Sequence, residues 1–221
     1  MEQQSLDTVV GFRPVAVIFD MDGVLADTEP RNEQALTTVL ARRGARMTED
    51  EYRGLVGQSN ETSWAWMIRR FGLTDAPADL QDEYVREVLP LLSTVPPSPG
   101  IGALVGELRA SGIRLAVASS SPRPAVETVL EALGLASAFD VVVSGEEVAA
   151  GKPAPDIFRL AAKRLDVAPS RCLVIEDSPH GLEAARRAGM HTIALRTRYT
   201  SGQALRADVV VDSLEELGAP E

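Results

Sequence analysis

The chain has little of three things. It carries one cysteine, Cys172, among 221 residues. A single thiol forms no internal disulfide, which excludes a disulfide-stapled secreted scaffold and suits a reducing cytoplasm. Positive charge is short: 22 Lys and Arg stand against 32 Asp and Glu, a formal charge of −10. Nucleic acid and anionic membranes favour basic surfaces, so neither is expected as a partner. No apolar run approaches the roughly 20 residues that span a bilayer. Residues 1–7 hold neither a basic nor an apolar segment, so no secretory signal is expected and the location is read as cytoplasmic.

What remains is the composition of a soluble globular chain, 45% apolar and 24% charged. Its length suits one large domain or a domain carrying a smaller insertion. Residues 1–14 read as a tail. The apolar run Val15-Ala16-Val17-Ile18 predicts a buried strand over 15–20. From Pro30 to about Leu92 the pattern is helical, with helices over 33–43 and 80–92. A further helical face of Trp64, Met67, Ile68 and Phe71 ends at Gly72. The Pro-rich segment 94–100 is incompatible with helix and reads as a return linker.

Beyond it, helices at 103–111, 124–133, 156–165 and 182–188 alternate with short strands. The strands fall at 115–118, 141–144, 172–176, 192–195 and 209–211. That alternation means βαβ units and a parallel sheet covered on both faces. The fold class is therefore α/β, a Rossmann-like parallel sheet with a helical insertion after the first strand.

In such sheets ligands bind beyond the carboxyl ends of the strands. Four of these ends carry unusual polar residues: Asp20 and Asp22, Ser119, the loop holding Lys152, and Glu176 with Asp177. Two carboxylates two positions apart at the end of a core strand suit a hard cation and nucleophilic or acid–base work. A helix-capping role would account for Asp177 or Ser178 ahead of Pro179, but not for Glu176. Ser121 reads as the cap of the helix after Pro122. Gly145 to Lys152 is no P-loop, since the spacing is wrong and Pro153 stands where Ser or Thr is required.

The stretches Phe19-Asp20-Met21-Asp22-Gly23-Val24, Ala118-Ser119-Ser120-Ser121-Pro122, Gly151-Lys152-Pro153-Ala154-Pro155-Asp156 and Ile175-Glu176-Asp177-Ser178 together resemble the four motifs of the haloacid dehalogenase superfamily. Within it, the chain is most similar to the β-phosphoglucomutase-like phosphatases. The resemblance implies a phosphatase core of residues 1–28 and 96–221 with a helical cap domain of residues 29–95. It implies that Asp20 attacks phosphorus and that Asp22 serves as general acid and base. Lys152 would neutralise gathering negative charge. Ser119 and Ser120 would contact the phosphoryl group, and Mg2+ would sit among Asp20, the main-chain carbonyl of Asp22, Glu176 and Asp177.

The segment Gly57-Gln58-Ser59-Asn60 resembles the cap loop that reaches the site, and it also fits an ordinary interhelical turn. Trp64, Met67, Ile68 and Phe71 are read as cap core, whereas Trp66 falls off that face and either lines the cleft or is exposed. Mutases of this group carry a His, an Arg and a Lys at positions aligned with Asn32, Asn60 and Leu80. All three bases are missing, which favours hydrolysis of a small phosphorylated metabolite, a sugar phosphate first, and implicates Asn32 in specificity. The alternatives are a phosphomutase and a non-catalytic phosphometabolite-binding protein. A monomer or weak homo-oligomer is expected. His180, His191 and Cys172 are given no chemical role.

Overall fold

The structure, a computed structural model, describes residues 4–218. It opens with a short strand β1 (Gln4–Ser5) and a helix α1 (Leu6–Val10). The expectation of a free tail is corrected here. β1 pairs in parallel with β8 (Leu217–Gly218) at the other end of the chain, and Leu6 is fully buried. A pairing between segments more than 200 positions apart leaves no local signature, which is why it went unread.

The main sheet has six parallel strands in the order β4-β3-β2-β5-β6-β7. These are β2 (Ala16–Phe19), β3 (Arg114–Ser119), β4 (Val141–Ser144), β5 (Cys172–Glu176), β6 (His191–Leu195) and β7 (Val209–Val211). Strand side chains alternate faces with period two. Ala16, Ile18, Ala116, Ala118, Cys172 and Val174 face one core together with α8 (Asp156–Leu165) and α9 (Pro179–Ala188). Val17, Phe19, Leu115, Val117, Leu173 and Ile175 face the other. That second core is covered by α6 (Ile101–Ala110) and α7 (Arg123–Ala132). Small residues on the first face let α8 and α9 approach closely, while larger ones fill the second layer.

Five helices stand between β2 and β3; the first four, α2 (Glu29–Ala41), α3 (Glu49–Arg53), α4 (Asn60–Phe71) and α5 (Pro77–Leu92), form the insertion, and α6 follows it. α2 packs on α5, and α5 on both α4 and α7. Helix α3 was not anticipated, although its capping box, Thr48 with Glu51, is written in the sequence. After α5 the chain returns beside its point of departure: the Ser98 N–H donates to the Leu25 carbonyl at 2.9 Å. Ala26 bridges Pro97. No helix among the described residues is long and apolar enough to cross a membrane.

Candidate active site

The sheet places its chemistry by register. Phe19 ends β2 opposite Val117 of β3 and Ile175 of β5, so Asp20 stands level with Ala118 and Glu176. Its backbone N–H donates to the Ile175 carbonyl at 2.9 Å. Into this row comes Lys152 from the loop between β4 and α8. Its ammonium donates to Asp20 Oδ1, to Glu176 Oε1 at 2.8 Å and to the Ala118 carbonyl at 3.2 Å. An ammonium has three protons, and here each goes to the end of a different, adjacent strand. The Lys152 side chain is 1% exposed and sits over the Phe158 ring. Burial opposes its charge, but Asp20 and Glu176 outweigh burial, and its pKa lies above the ordinary lysine value.

The neighbouring acids pull the other way. Burial raises the pKa of Asp20 well above the usual carboxylate value against the attraction of Lys152, and Glu176 and Asp22 add to the rise. Asp177 is raised well above it by burial, then by Glu176 and Asp20. Glu176 is held at both oxygens: Oε1 takes Lys152, and Oε2 takes the Ser178 N–H at 2.6 Å and hydroxyl at 2.9 Å. Ser178, not Asp177, caps α9, accepting from the Gly181 N–H at 3.0 Å. Asp177 is thus free of capping and accepts from Thr197 Oγ1 at 3.2 Å.

Gly23, at φ +79°, makes the turn after the strand possible. A Cβ there would strike the Asp177 carboxylate, so Asp177 lies directly on the backbone following Asp22. Asp22 itself is surrounded by donors. Oδ1 takes the Thr28 hydroxyl and Asn32 Nδ2 at 3.3 Å, and Oδ2 takes Ser121 Oγ at 2.8 Å and Ser119 Oγ at 3.3 Å. Ser121 therefore does not cap the following helix, whose N-cap is Pro122 without a side-chain bond. Asn32 is in turn oriented from α5, its Oδ1 accepting from Tyr84 OH at 2.9 Å.

The inserted helices close the site. Asp20, Asp22, Asn32, Gln58, Asn60 and Ser120 line one cavity. Gly57 shares it and touches the core so closely that a Cβ would meet Ser178 Cβ at 2.5 Å. The segment is thus a loop brought to the strand ends. Ser59 differs from its neighbours: it caps α4 and packs on Gly151, outside this cavity. Trp64 lines the cavity although buried in the helical core, whereas Trp66 is partly buried against Phe71 and does not. Leu80 is fully buried, and the adjacent Gln81 reaches the cavity, its Oε1 accepting from Trp64 Nε1 at 2.5 Å.

Several participants were not picked out from the sequence: Thr28, Glu29, Tyr52, Tyr84 and, in its actual place, Ser121. Thr28 and Glu29 belong to the polar phrase Asp27-Thr28-Glu29-Pro30 that separates the first motif from α2, which was signal enough to suspect them. Glu29 is buried with the Tyr52 hydroxyl on its carboxylate. Burial first, then the charge of Asp22, push its pKa up to about 8. His191 stacks on Phe12 at 3.9 Å, far along the strand from this edge.

The donor set fits Mg2+. Among the described residues no three His, Cys, Asp or Glu side chains form a ready cage. Mg2+ takes one or two carboxylates and keeps several waters, so a cage is not what it needs. Asp20 and Glu176 share the Lys152 ammonium, Asp177 accepts from the Thr197 hydroxyl, and the burial of all three leaves an excess of negative charge that a divalent cation relieves. Glu176 Oε1, with the Lys152 ammonium as its donor, keeps a lone-pair site, whereas both sites of Oε2 are taken by Ser178.

Comparison with known proteins identifies the family. The sequence model of the haloacid dehalogenase-like hydrolases matches residues 15–189. Protein CbbY of Cereibacter sphaeroides is 36% identical over 215 residues, covering 92% of this chain and 94% of its own. The phosphorylated carbohydrates phosphatase of Thermotoga maritima is 35% identical over 179 residues, covering 80% and 83%. A crystal structure of a CbbY mutant from Rhodobacter sphaeroides in complex with xylulose-(1,5)bisphosphate superposes with a TM-score of 0.87 at 34% identity, covering 93% and 97%.

Proposed function

The chain belongs to the haloacid dehalogenase-like hydrolases and is a phosphatase of phosphorylated metabolites, and from that premise we propose that it hydrolyses a small sugar phosphate through a phosphorylated Asp20. The observation that carries the proposal is the row Ala118–Asp20–Glu176 tied by Lys152, with Asp22 on the adjoining turn. Residues 29–95 act as a cap over a core of residues 1–28 and 96–221, excluding bulk water from the cavity they share.

In the first step Asp20 attacks phosphorus. Lys152 occupies Oδ1, and among the described residues Oδ2 accepts no hydrogen bond, which supports Oδ2 as the attacking atom. As the Oδ2–phosphorus bond forms, the bond to the sugar oxygen breaks, and Asp22 gives that oxygen its proton. In the second step water attacks phosphorus, Asp22 takes its proton, and the bond to Asp20 breaks. An acid–base residue needs partners in both its forms. The Thr28 and Ser121 hydroxyls around Asp22 both donate and accept, so it keeps them when protonated.

Ser119 and Ser120, at the end of β3, contact the phosphoryl oxygens. Gln58 and Asn60 from the cap loop and Asn32 from α2 contact the sugar, with Ser59 setting the loop rather than touching substrate. Mg2+ would be held by Asp20, the Asp22 carbonyl, Glu176 and Asp177, supplying positive charge beside the transferring group. Lys152 neutralises the charge that gathers on Asp20, and fixed positions account for most of the rate, as in other phosphoryl transfers. A cytoplasmic location is part of the proposal, resting on the lone buried thiol of Cys172, whose pKa burial pushes up to about 11.

The test is phosphate release from a panel of phosphorylated metabolites with Mg2+ and with EDTA. Release that needs Mg2+ and disappears in Asp20→Asn supports the scheme. Isomerisation of β-glucose 1-phosphate without release would replace it with a mutase.

A further inference from the structure

The cavity as a whole has a one-sided electrostatic make-up. Five carboxylates line it: Asp20, Asp22, Glu29, Glu176 and Asp177. Against them stands one cation among the lining residues, Lys152, and all three of its protons are engaged at the strand ends. The adjoining opening, between Asn60 and Gly145, adds Glu61 and Glu146 and again no cation beyond Lys152. The rest of the wall supplied by the inserted helices is neutral. Leu36, Leu55, Val56 and Met67 are apolar, and Asn32 and Gln81 are uncharged amides.

A phosphoryl group at Asp20 has Lys152 and the proposed Mg2+ site beside it. A second anionic group, carried on the alcohol part of the substrate, would lie under the cap with no cation to meet it. An anion moved out of water without a partner is strongly disfavoured. Neutral hydroxyls, in contrast, find amides to pair with, and a carbon skeleton finds the apolar wall.

Building on the proposed phosphatase function, we infer that the substrate is a monophosphate ester of a neutral polyhydroxy alcohol, and that the cavity rejects sugar bisphosphates and phosphocarboxylates. In this the chain departs from the CbbY structure that binds a bisphosphate. Glu29 strengthens the distinction. With a pKa of about 8 it is mostly protonated at neutral pH, and its place beneath the cap offers a substrate oxygen a proton donor rather than a positive charge.

The test compares pairs that share one alcohol. Phosphate release is measured with Mg2+ from fructose 1-phosphate and fructose 1,6-bisphosphate, and from glucose 1-phosphate and glucose 1,6-bisphosphate, with 2-phosphoglycolate as the phosphocarboxylate. The expected result is a kcat/KM at least about tenfold higher for the better monophosphate than for its bisphosphate or for 2-phosphoglycolate. A smaller ratio overturns the inference while leaving the phosphatase reading intact. Should no compound release phosphate, that reading fails separately. The ranking is then read as Mg2+-dependent thermal shifts of Asp20→Asn with the same compounds, where equal or larger shifts with bisphosphates overturn the inference. A cation added at the wall completes the test: Asn60→Arg should narrow the ratio by about tenfold, and an unchanged ratio with folded protein contradicts the electrostatic origin.

Discussion

The Lys152 ammonium and the Asp20 carboxylate meet at the centre of the sheet's carboxyl edge, where the same ammonium also ties down β3 and β5. Structure and chemistry therefore depend on one contact. Lys152→Met leaves Asp20 and Glu176 buried without counter-charge, and breaking a buried pair from one side costs about 3–5 kcal/mol. Melting temperature at neutral pH should fall by several degrees, and kcat by about a hundredfold or more. Because the orphaned carboxylates are neutralised by protons, the melting deficit should shrink as pH is lowered. A deficit independent of pH would show that the loss is one of packing.

Tyr84 is linked to Asp22 by hydrogen bonds through Asn32. Tyr84→Phe removes one hydrogen bond, worth about 0.5–1.5 kcal/mol, and so should lower kcat roughly two- to tenfold with KM little changed. Asn32→Ala should have the larger effect. Equal kcat in wild type and Tyr84→Phe, measured at saturating substrate, would show that Asn32 holds its place unaided.

Glu29 ties stability to pH. Its carboxyl is favoured neutral in the folded chain, with a pKa of about 8 against 4.5 for the unfolded one. Between those values the unfolded chain has released the proton and the folded chain still holds it, so the contribution of Glu29 to stability falls as pH rises from 4.5 to about 8. Glu29→Gln removes the titration. Its stability relative to wild type should climb across that window and level off above it, as read by denaturant melts at several pH values. A flat difference would place Glu29 in water.

Gly57 and Gly72 both have positive φ, 76° and 65°, but only Gly57 abuts another surface. Alanine at either position should cost about 1 kcal/mol of backbone strain. Only Gly57→Ala, whose Cβ collides with Ser178, should reduce kcat/KM, by about ten- to a hundredfold. Matched losses in the two variants would mean that the Gly57 contact has no part in closing the site.

How much of this was readable in advance follows from the range of each interaction. The strands and their polar ends were legible because a buried parallel strand is a short apolar run, and an acid that ends one is conspicuous. Strand 172–176 and helix 156–165 are found at their expected bounds. Tyr84 was not legible, because α5 presents Leu80, Tyr84, Val88 and Leu92 as one apolar stripe. Nothing in the spacing says that one hydroxyl on that stripe meets Asn32. Ser121 precedes Pro122 and so imitates a cap, and only the third dimension shows that Asp22 takes its hydroxyl. Trp64 is in the core of the inserted helices as expected but also lines the cavity, and Trp66 packs on Phe71 instead, for the same reason: a helix period separates faces but does not say which face meets the cavity.

The most direct measurement of the central claim is the covalent state of Asp20 during turnover. Enzyme mixed with a good monophosphate substrate and Mg2+, quenched in acid within milliseconds, is digested and its peptides weighed. The account predicts one added phosphoryl group on the peptide containing Asp20, discharged by hydroxylamine and missing from Asp20→Asn, which should also be inactive. Steady turnover with no phosphorylated Asp20 at any quench time, or with Asp20→Asn as active as wild type, would contradict it.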